Sequence, residues 1–588
     1  MKYKLIKPIN PQYSTVEQIL TNRGIPIQEI HHYLNTTDND INSPSLFGED
    51  NLKRGAAALI NTIKSDNTMI IVVDADCDGF TSSAILINYL HDLFPHWVET
   101  KLSWYLHSSK QHGLNDCIDW IIDKQFNLVC CPDSSSNDYN EHQRLKELGI
   151  DTIVLDHHEA DKIDDNAIII NNQLSSYPNK ELSGAGVTWQ FCRYIDKLLN
   201  TTHANNYLDL VSLGDNADMM SMTSFETKHL IQKGLEDENL KNPFITYMAD
   251  KNSFSLKGKL TPINVAFYIA PYVNAIVRSG TLEEKQVVFE SMLQFRAFER
   301  VPSIKRGHKL GDTESIVEQA TRIATNVKAR QTKAQNEGML TIENMIQEQH
   351  LLDHKVLLFL IEAGAIDKNI AGLIANKIMS KYQRPVCILT KVNDEGTISY
   401  QGSARGCDKT GVNNFKDICS QTNAILYAEG HQGAFGLGIE EDKIQDFINR
   451  TDEILKDIND EPIYFVDYIY QSNTINPQNI LNIADMDNLW GKDINEALVA
   501  VENIKVTSDM VTVYSKKNLT IKINLPNNIS AMIFNASDEE VAKLQTNNTG
   551  YVEINLIAKC NRNEWMGNIT PQLFIEDWET TDSNKYYF

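Results

Sequence analysis

Four short segments of this chain carry acids and imidazoles at spacings that chemistry can use. The first is Asp74-Ala-Asp76-Cys-Asp78-Gly79, directly after the apolar run Met69–Val73. Three acids at alternate positions resemble the opening of an EF-hand calcium loop, which needs a preceding helix and a bidentate Glu at its twelfth position. Here a strand-like run comes first and Ile85 stands at the twelfth position, so that reading fails. Acids at the C-terminal end of a parallel strand instead sit where α/β sheets gather their ligands. The second segment, Pro132-Asp133-Ser134-Ser135-Ser136-Asn137, follows the run Phe126–Cys131. Alone it reads more readily as a helix cap than as a functional site. The third, Asp156-His157-His158, follows Thr152–Leu155. Adjacent histidines point in different directions, so one can ligate a metal while the other faces a substrate. The fourth, Gly214-Asp215-Asn216-Ala217-Asp218, follows the apolar helix-like run Tyr207–Leu213.

Taken together the four segments imply a metal centre. Burying so many carboxylates without countercharge is prohibitive, and divalent cations are the simplest compensation. Oxygen-rich ligands with one imidazole suit Mn²⁺ or Mg²⁺ better than zinc. The nine cysteines show no CxxC spacing, and Cys130–Cys131 lie in an apolar run. That usage fits reduced, buried thiols in a cytoplasm and argues against structural zinc.

Alternating strands and helices must position these segments. Met69–Val73, Phe126–Cys131, Thr152–Leu155 and Ala167–Ile170 read as buried strands, most of them followed by helix-like segments. This alternation predicts a parallel α/β sheet. Ile316, Ala320, Ile323 and Val327 recur at helical spacing among polar residues, predicting a long connecting helix over Ser315–Met345. A second α/β segment has strands at Lys355–Leu360 and Val386–Leu389. Further on, Leu519, Ile521, Ile523 and Leu525 alternate with polar residues, as do Val552, Ile554 and Leu556. That pattern predicts a small antiparallel barrel.

The order DxDxDG, Asp, DHH and a distant Asp resembles the DHH phosphoesterase superfamily, and within it the RecJ family. The flanking text is similar too. Leu182-Ser-Gly-Ala-Gly-Val187 follows the DHH segment, and Leu208–Gly214 precedes the last acid. Ala270-Pro-Tyr-Val-Asn274-Ala-Ile-Val-Arg278 resembles an interdomain signature, and Gly430-His431-Gln-Gly433-Ala-Phe-Gly436 a GGGH-type signature. The resemblance runs from about Asn22-Arg23-Gly24 to the C-terminal barrel. It implies an α/β fold with a DHH parallel-sheet domain, a long connecting helix, a DHH-associated α/β domain and a C-terminal OB-like β-barrel. The parts are expected at 1–55 (lead-in), 56–245 (DHH), 246–350 (interdomain), 351–450 (DHH-associated) and 451–588 (OB-like region).

Carried over residue by residue, the resemblance implies that Asp76, Asp78, Asp133, His157 and Asp218 are metal ligands, with Asp133 bridging two divalent cations, Mn²⁺ favoured over Mg²⁺. Asp74 is a ligand or supports one, His158 contacts the scissile phosphate, and Asp156 orients the histidines. Ser136, Asn137, Asn274, Arg278, Ser403, Arg405, Gly430 and His431 fall on the substrate side. The implied activity is two-metal hydrolysis of single-stranded DNA, or RNA, from the 5′ end to 5′-mononucleotides. Single-strand-binding, replication or repair proteins are the expected partners. The alternative is a small-substrate DHH phosphodiesterase of the nanoRNase or cyclic-dinucleotide type, which would lack the barrel. Trp565 and Tyr514 are candidate base-stacking residues on that barrel, although Trp565 reads equally as barrel core. Three departures stand out. Glu429 replaces a first glycine, Ser134-Ser135 replaces a Cys-Gly-like pair, and His107-Ser-Ser-Lys110-Gln-His112-Gly-Leu114 lacks the family's arginine.

Charge pulls the other way. The 588 residues carry a formal charge of −24, which should repel phosphate at long range. Nucleic acid would then be held locally, by a small cluster including Lys110, Arg278 and Arg405. No apolar run reaches the roughly 18–20 residues of a membrane span, and the basic N-terminus lacks a signal peptide's apolar core. No membrane partner is expected.

Overall fold

The computed structural model of the chain describes residues 1–581 except 110, 257, 395, 459–462, 516–517 and 545–549, and omits the Trp565 side chain. Lys110, Lys516, Lys517 and the Trp565 side chain therefore lie outside the described residues. The chain folds as two compact units. One comprises Arg23–Arg330 with Asp487–Asn495, the other Met1–Asn22, Gln331–Met486 and Glu496–Phe588.

The first unit is built on five parallel strands: β1 (Met69–Val73), β2 (Leu102–Leu106), β3 (Leu128–Pro132), β4 (Asp151–Asp156) and β5 (Ile168–Asn171). Their order across the sheet is β2-β1-β3-β4-β5. The sequence Met-Ile-Ile-Val-Val of β1 is buried at every position. A strand covered on both faces has no polar side to show, which is why such strands read as continuous apolar runs. Ile70, Val72, Val129, Cys131, Val154 and Ile169 form one core face with Leu114, Ile118 and Leu145. Each such Val or Ile contributes about 1.5–3 kcal/mol by leaving water. Strand β2 was not foreseen in the sequence. Its Ser103, Trp104 and Tyr105 are only partly buried, as befits a strand at the sheet's edge.

Five helices of this unit matter for function: α1 (Cys77–Leu93), α2 (Gly184–Leu199), α3 (Leu208–Ala217), α4 (Ala270–Ser279) and α5 (Leu282–Met292). Helix α1 is buried without interruption from Cys77 to Leu90, so it lies inside the unit and has no solvent stripe. The N-terminal lead-in is tied down by a buried carboxylate. Glu226 accepts hydrogen bonds from the Asn42 backbone and amide, the Tyr177 hydroxyl and the Asn179 and Gln190 amides.

Helix α6 (Ile316–Glu348) is the long connecting helix expected from its apolar spacing. Ile316, Val317, Ala320 and Val327 are buried near its start, and Ile342 and Ile346 near its end.

The second unit holds two sheets. In the first, β6 (Leu357–Ile361), β7 (Val386–Asp394), β8 (Thr397–Arg405), β9 (Tyr427–His431) and β10 (Ala434–Glu440) run in the order β9-β10-β8-β7-β6. Only β6 and β7 are parallel, joined through helix α7 (Lys368–Tyr382). The second sheet contains β11 (Tyr468–Gln471), β12 (Leu498–Val506), β13 (Val511–Tyr514), β14 (Thr520–Leu525), β15 (Ile529–Phe534), β16 (Val552–Trp565) and β17 (Asn568–Thr580). Their order is β11-β12-β16-β17-β15-β14-β13. Alternation predicted antiparallel pairing throughout. The structure departs from this at two places, since β11 pairs with β12 and β15 with β17 in parallel. Alternation reports which face is buried and is blind to direction. A short strand at the N-terminus, Lys2–Leu5, pairs in parallel with Ile463–Val466.

Candidate metal centre

The strand order of the parallel sheet reverses between β1 and β3. In doubly wound sheets, chains leaving the carboxyl ends of the strands on either side of such a reversal diverge and open a crevice. The first acidic segment leaves β1, Asp133 leaves β3, and Asp156-His157-His158 leaves β4. Asp218 arrives at the C-terminal end of α3. All four segments singled out in the sequence thus meet in one place.

Each side chain is held by local structure. Asp76 caps α1, accepting the Gly79 backbone N–H at 2.9 Å. Asp78 takes the Gly184 N–H at 2.6 Å and the Ala185 N–H at 3.1 Å, both at the start of α2, where unpaired N–H groups and the helix dipole favour an anion. Asp133 adopts a left-handed backbone (φ 68°), and its own N–H donates to the Leu155 carbonyl at 2.8 Å. Close approach by α2 requires a glycine here, since a Cβ on Gly184 would stand 2.5 Å from the Asp133 Cβ.

Asp133 is the centre of the arrangement. It is 1% exposed, yet both its carboxylate oxygens lack a hydrogen-bond donor among the described residues. Burial, reinforced by Asp78, Asp76, Asp74 and Asp218, pushes its carboxyl well above the usual range. His157 Nε2, also without a hydrogen bond, lies 3.2 Å from Asp133, 3.4 Å from Asp218 and 3.8 Å from Asp78. The ligand atoms fall into three overlapping groups, Asp74–Asp76–Asp133, Asp78–His157–Asp218 and Asp133–Asp156–His157–His158. Asp133 is shared by the first and third groups and His157 by the second and third, so these two side chains link the cluster. Burial raises Asp218 to about 8 and depresses the His157 imidazole.

A buried carboxylate with no donor is costly unless a cation stands beside it. Carboxylate oxygens with one imidazole match cations of the Mg²⁺ and Mn²⁺ kind, and the residues present therefore fit such ions.

The supporting residues have a different character. Asp156 is saturated, accepting the N–H groups of Ser136, His157 and His158 and the His158 Nδ1 at 2.8 Å. Burial is the largest single influence and opposes its charge, but the His158 hydrogen bond, the nearby His158 and His157 and the Ser136 bond together hold the carboxyl below its ordinary range. Burial likewise opposes charge on His158, yet its bond to Asp156, with Asp218 and Asp74 nearby, lifts the imidazole to about 9. His158 is half-exposed. Ser136 Oγ accepts the Asn171 amide, and Asn137 links to Glu159, Asp161 and Tyr139, so both brace the loop after β3. Asn274 and Arg278 stand one turn apart and half-buried on α4.

Three residues at or near the site carry no role in the sequence reading, although Asp215 and His112 lie in segments it singles out. His112 Nδ1 lies 2.5 Å from Asp74 Oδ2, and the carbonyls of His107 and Ser108, on the same loop, are held by the buried ammonium of Lys285 on α5. Asp215, fully buried, accepts the Ser183 N–H and is raised by burial to about 8. The signal for His112 was present: it lies in the segment that lacks the family's arginine. Lys285, in an ordinary amphipathic helix, left none.

Ser403, Arg405, Gly430 and His431 lie in the other unit, together at one end of its first sheet. Arg405 on β8 and His431 on β9 both pair across β10 with Ala434. Gly372 on α7 leaves the room that the Arg405 guanidinium and the Ser403 hydroxyl occupy. Gly430 and His431 are exposed.

Family profiles match three stretches of the chain: the DHH family, N-terminal domain, over residues 68–214, the DHHA1 domain over 354–457 and the RecJ OB domain over 466–577. A Bacillus subtilis SPbeta prophage protein, YorK, named as a single-strand DNA-specific exonuclease, is 33% identical over 588 residues, 100% of this chain and 99% of its own length. The B. subtilis single-stranded-DNA-specific exonuclease RecJ is 24% identical over 96% of this chain and 67% of its own. Among solved structures, RecJ from Thermus thermophilus in complex with Mn²⁺ shares the fold, with a TM-score of 0.69 at 15% identity over 99% of this chain and 79% of that one.

Proposed function

This chain belongs to the DHH family of metal-dependent phosphoesterases, in its RecJ branch, and on that premise we propose that it hydrolyses single-stranded DNA from the 5′ end to 5′-mononucleotides with two divalent cations. The observation that carries the two-metal reading is Asp133, buried, donor-free among the described residues and common to two overlapping ligand groups. Asp74, Asp76 and Asp133 would hold one cation, and Asp78, His157 and Asp218 the other, with Asp133 shared. When bound, the cations supply Lewis acidity towards the phosphoryl oxygens and acidify a water molecule. Mn²⁺ is the favoured ion.

The protein groups do the remainder. His158, oriented by Asp156, stands ready to stabilise charge on the non-bridging phosphoryl oxygens. Arg278 and Asn274 of α4 contact the strand on the substrate side. Ser136 and Asn137 hold the loop that carries Asp133 and line the same side. In the other unit Ser403, Arg405, Gly430 and His431 receive the terminal phosphate, and the C-terminal sheet carries the strand beyond. The match to the RecJ OB domain supports the long-strand reading over a small-substrate phosphodiesterase.

The division into lead-in 1–55, DHH domain 56–245, interdomain segment 246–350, DHH-associated domain 351–450 and C-terminal region 451–588 belongs to the same proposal. So do single-strand-binding or repair proteins as partners and a cytoplasmic location. All nine cysteines are free and buried, as a reducing compartment would leave them. No described helix is long and apolar enough to cross a membrane.

Digestion of 5′-labelled and 3′-labelled single strands with Mn²⁺ tests the reading. Immediate release of labelled mononucleotide from the 5′-labelled strand alone is expected. Release first from the 3′ label would reverse the polarity. Preference for dinucleotides over long strands would favour the small-substrate enzyme.

A further inference from the structure

Outside the metal centre, one surface element combines positive charge with exposure and a tied base. Strands Arg300–Pro302 and Thr313–Ser315 form a short antiparallel hairpin. Its tip, Ile304 to Thr313, is exposed at every residue. The segment Arg300-Val-Pro-Ser-Ile-Lys305-Arg306-Gly-His308-Lys309 contains four Lys or Arg, a histidine and no acid, in a chain with only 54 Lys and Arg against 78 acids. Arg300 and Lys305 are engaged with Glu318 and Glu314. No ion-pair partner is seen for Arg306 or Lys309 among the described residues. Leu310 is fully exposed and Ile304 57% exposed, so apolar side chains stand beside the unpaired cations.

The hairpin is not a loose loop. Glu314, completely buried at its base, accepts the Ile304 N–H at 2.9 Å, the Gln319 amide at 3.1 Å and a two-pronged Arg322 guanidinium at 2.6 and 2.7 Å. Ser303 N–H donates to the Asp312 carbonyl and Lys309 N–H to the Asp312 carboxylate, closing the tip. A buried Glu anchored to four donors ties down the base from which the tip extends.

We propose that this hairpin is a second nucleic-acid contact, in which Arg306 and Lys309 take phosphates of the substrate strand while Leu310 and Ile304 lie against its bases. The pattern of paired cations and exposed apolar side chains matches a polymer with alternating phosphates and base faces. It also resolves the charge conflict: with a net charge of −24 the protein holds its polyanion at local cationic points rather than along a basic track. The inference rests on the nuclease reading for the identity of the strand, but the binding measurement is independent of cleavage.

The test is binding of a long fluorescent oligothymidylate to the full-length protein in EDTA, followed as a function of salt. For Arg306→Ala with Lys309→Ala, the slope of log affinity against log salt should shrink by about 1.4, given about 0.7 per phosphate on single strands. Leu310→Ser should weaken binding several-fold without changing the slope. The residues are exposed, so circular dichroism should be unchanged, and cleavage of a dinucleotide with Mn²⁺ should persist. Wild-type affinity and slope in the double variant would overturn the proposal. So would a variant that keeps its DNA binding but loses binding of an oligoglutamate peptide, which would assign the hairpin to an acidic protein partner. Failure of the wild-type protein to cut any strand would instead remove the nuclease reading and leave the binding slopes to decide the hairpin.

Discussion

The two groups of functional residues in this chain are built on opposite principles. Those of the metal centre are buried at Asp74, Asp78, Asp133 and His157 and part-buried at Asp76 and Asp218, sit on loops and helix ends, and repel one another: five carboxylates crowd around a single histidine pair. Those of the associated sheet are half-buried or exposed, sit on regular strands, and carry cations or plain backbone: Ser403, Arg405, Gly430, His431. A buried cluster of like charges is costly unless cations or protons neutralise it, so changing one member should be felt by all of them. An exposed cationic end on a finished sheet can only tune what binds to it. Dependence on the first set should be all-or-none, and on the second graded.

The sharpest break of that comparison is Asp133→Asn. Removing the shared ligand while preserving volume should leave less than about 1% of wild-type turnover, beyond the 10–100-fold typical of groups that merely support a ligand. Mn²⁺ stoichiometry measured by calorimetry should drop. Substantial turnover in a folded variant would end the two-metal assignment. Next is the histidine pair. His158→Ala should lower kcat about 10²–10³-fold with Mn²⁺ affinity retained, as for loss of one donor to a developing oxyanion. His157→Ala should lose the metal itself. Equal metal loss in both variants would erase the division of labour. Smaller again is His112→Ala, which frees the Asp74 carboxylate from its 2.5 Å partner. A fall of about 10–100-fold in Mn²⁺ affinity is expected, recovered in part by His112→Asn. Unchanged affinity would leave His112 an ordinary loop residue.

The sequence made the centre legible because buried parallel strands announce themselves as apolar runs, and the acids stand directly at their ends. Met69–Val73 was readable to the residue. What it hid were long-range partners. Nothing in Lys2–Leu5 announces a parallel partner at Ile463–Val466, and nothing in α5 announces that Lys285 will be buried to hold the carbonyls of His107 and Ser108. The edge strand β2 was missed because its pattern is neither continuous nor alternating. The parallel pairs of the C-terminal sheet were missed because a period of two carries no direction. The cationic hairpin was visible in composition, but its meaning required the structure, since only there does Glu314 tie down the base of the basic segment.

The smallest effect, and the one that best probes the graded set, concerns Arg405. Its guanidinium occupies space that Gly372 leaves on α7 and donates to the Ala404 carbonyl at 2.7 Å, so it is positioned by the sheet itself. Beside it lie the Ser403 hydroxyl, two register pairs back on the same strand, and the exposed residues Gly430 and His431 of β9. A planar fork next to these residues suits a terminal phosphate, which carries more charge and more free oxygens than an internal diester. The protein should therefore cut a 5′-phosphorylated strand about tenfold faster than a 5′-hydroxyl strand, the equivalent of one charge-assisted hydrogen bond of about 1.4 kcal/mol. Arg405→Ala should remove that preference chiefly through KM, while Mn²⁺ binding and slow cutting of both strands remain. Arg405→Lys should restore only part of it, because a point charge lacks the fork. A variant that loses turnover on both substrates alike, with the preference intact, would place Arg405 in the all-or-none group and dissolve the contrast between the two regions.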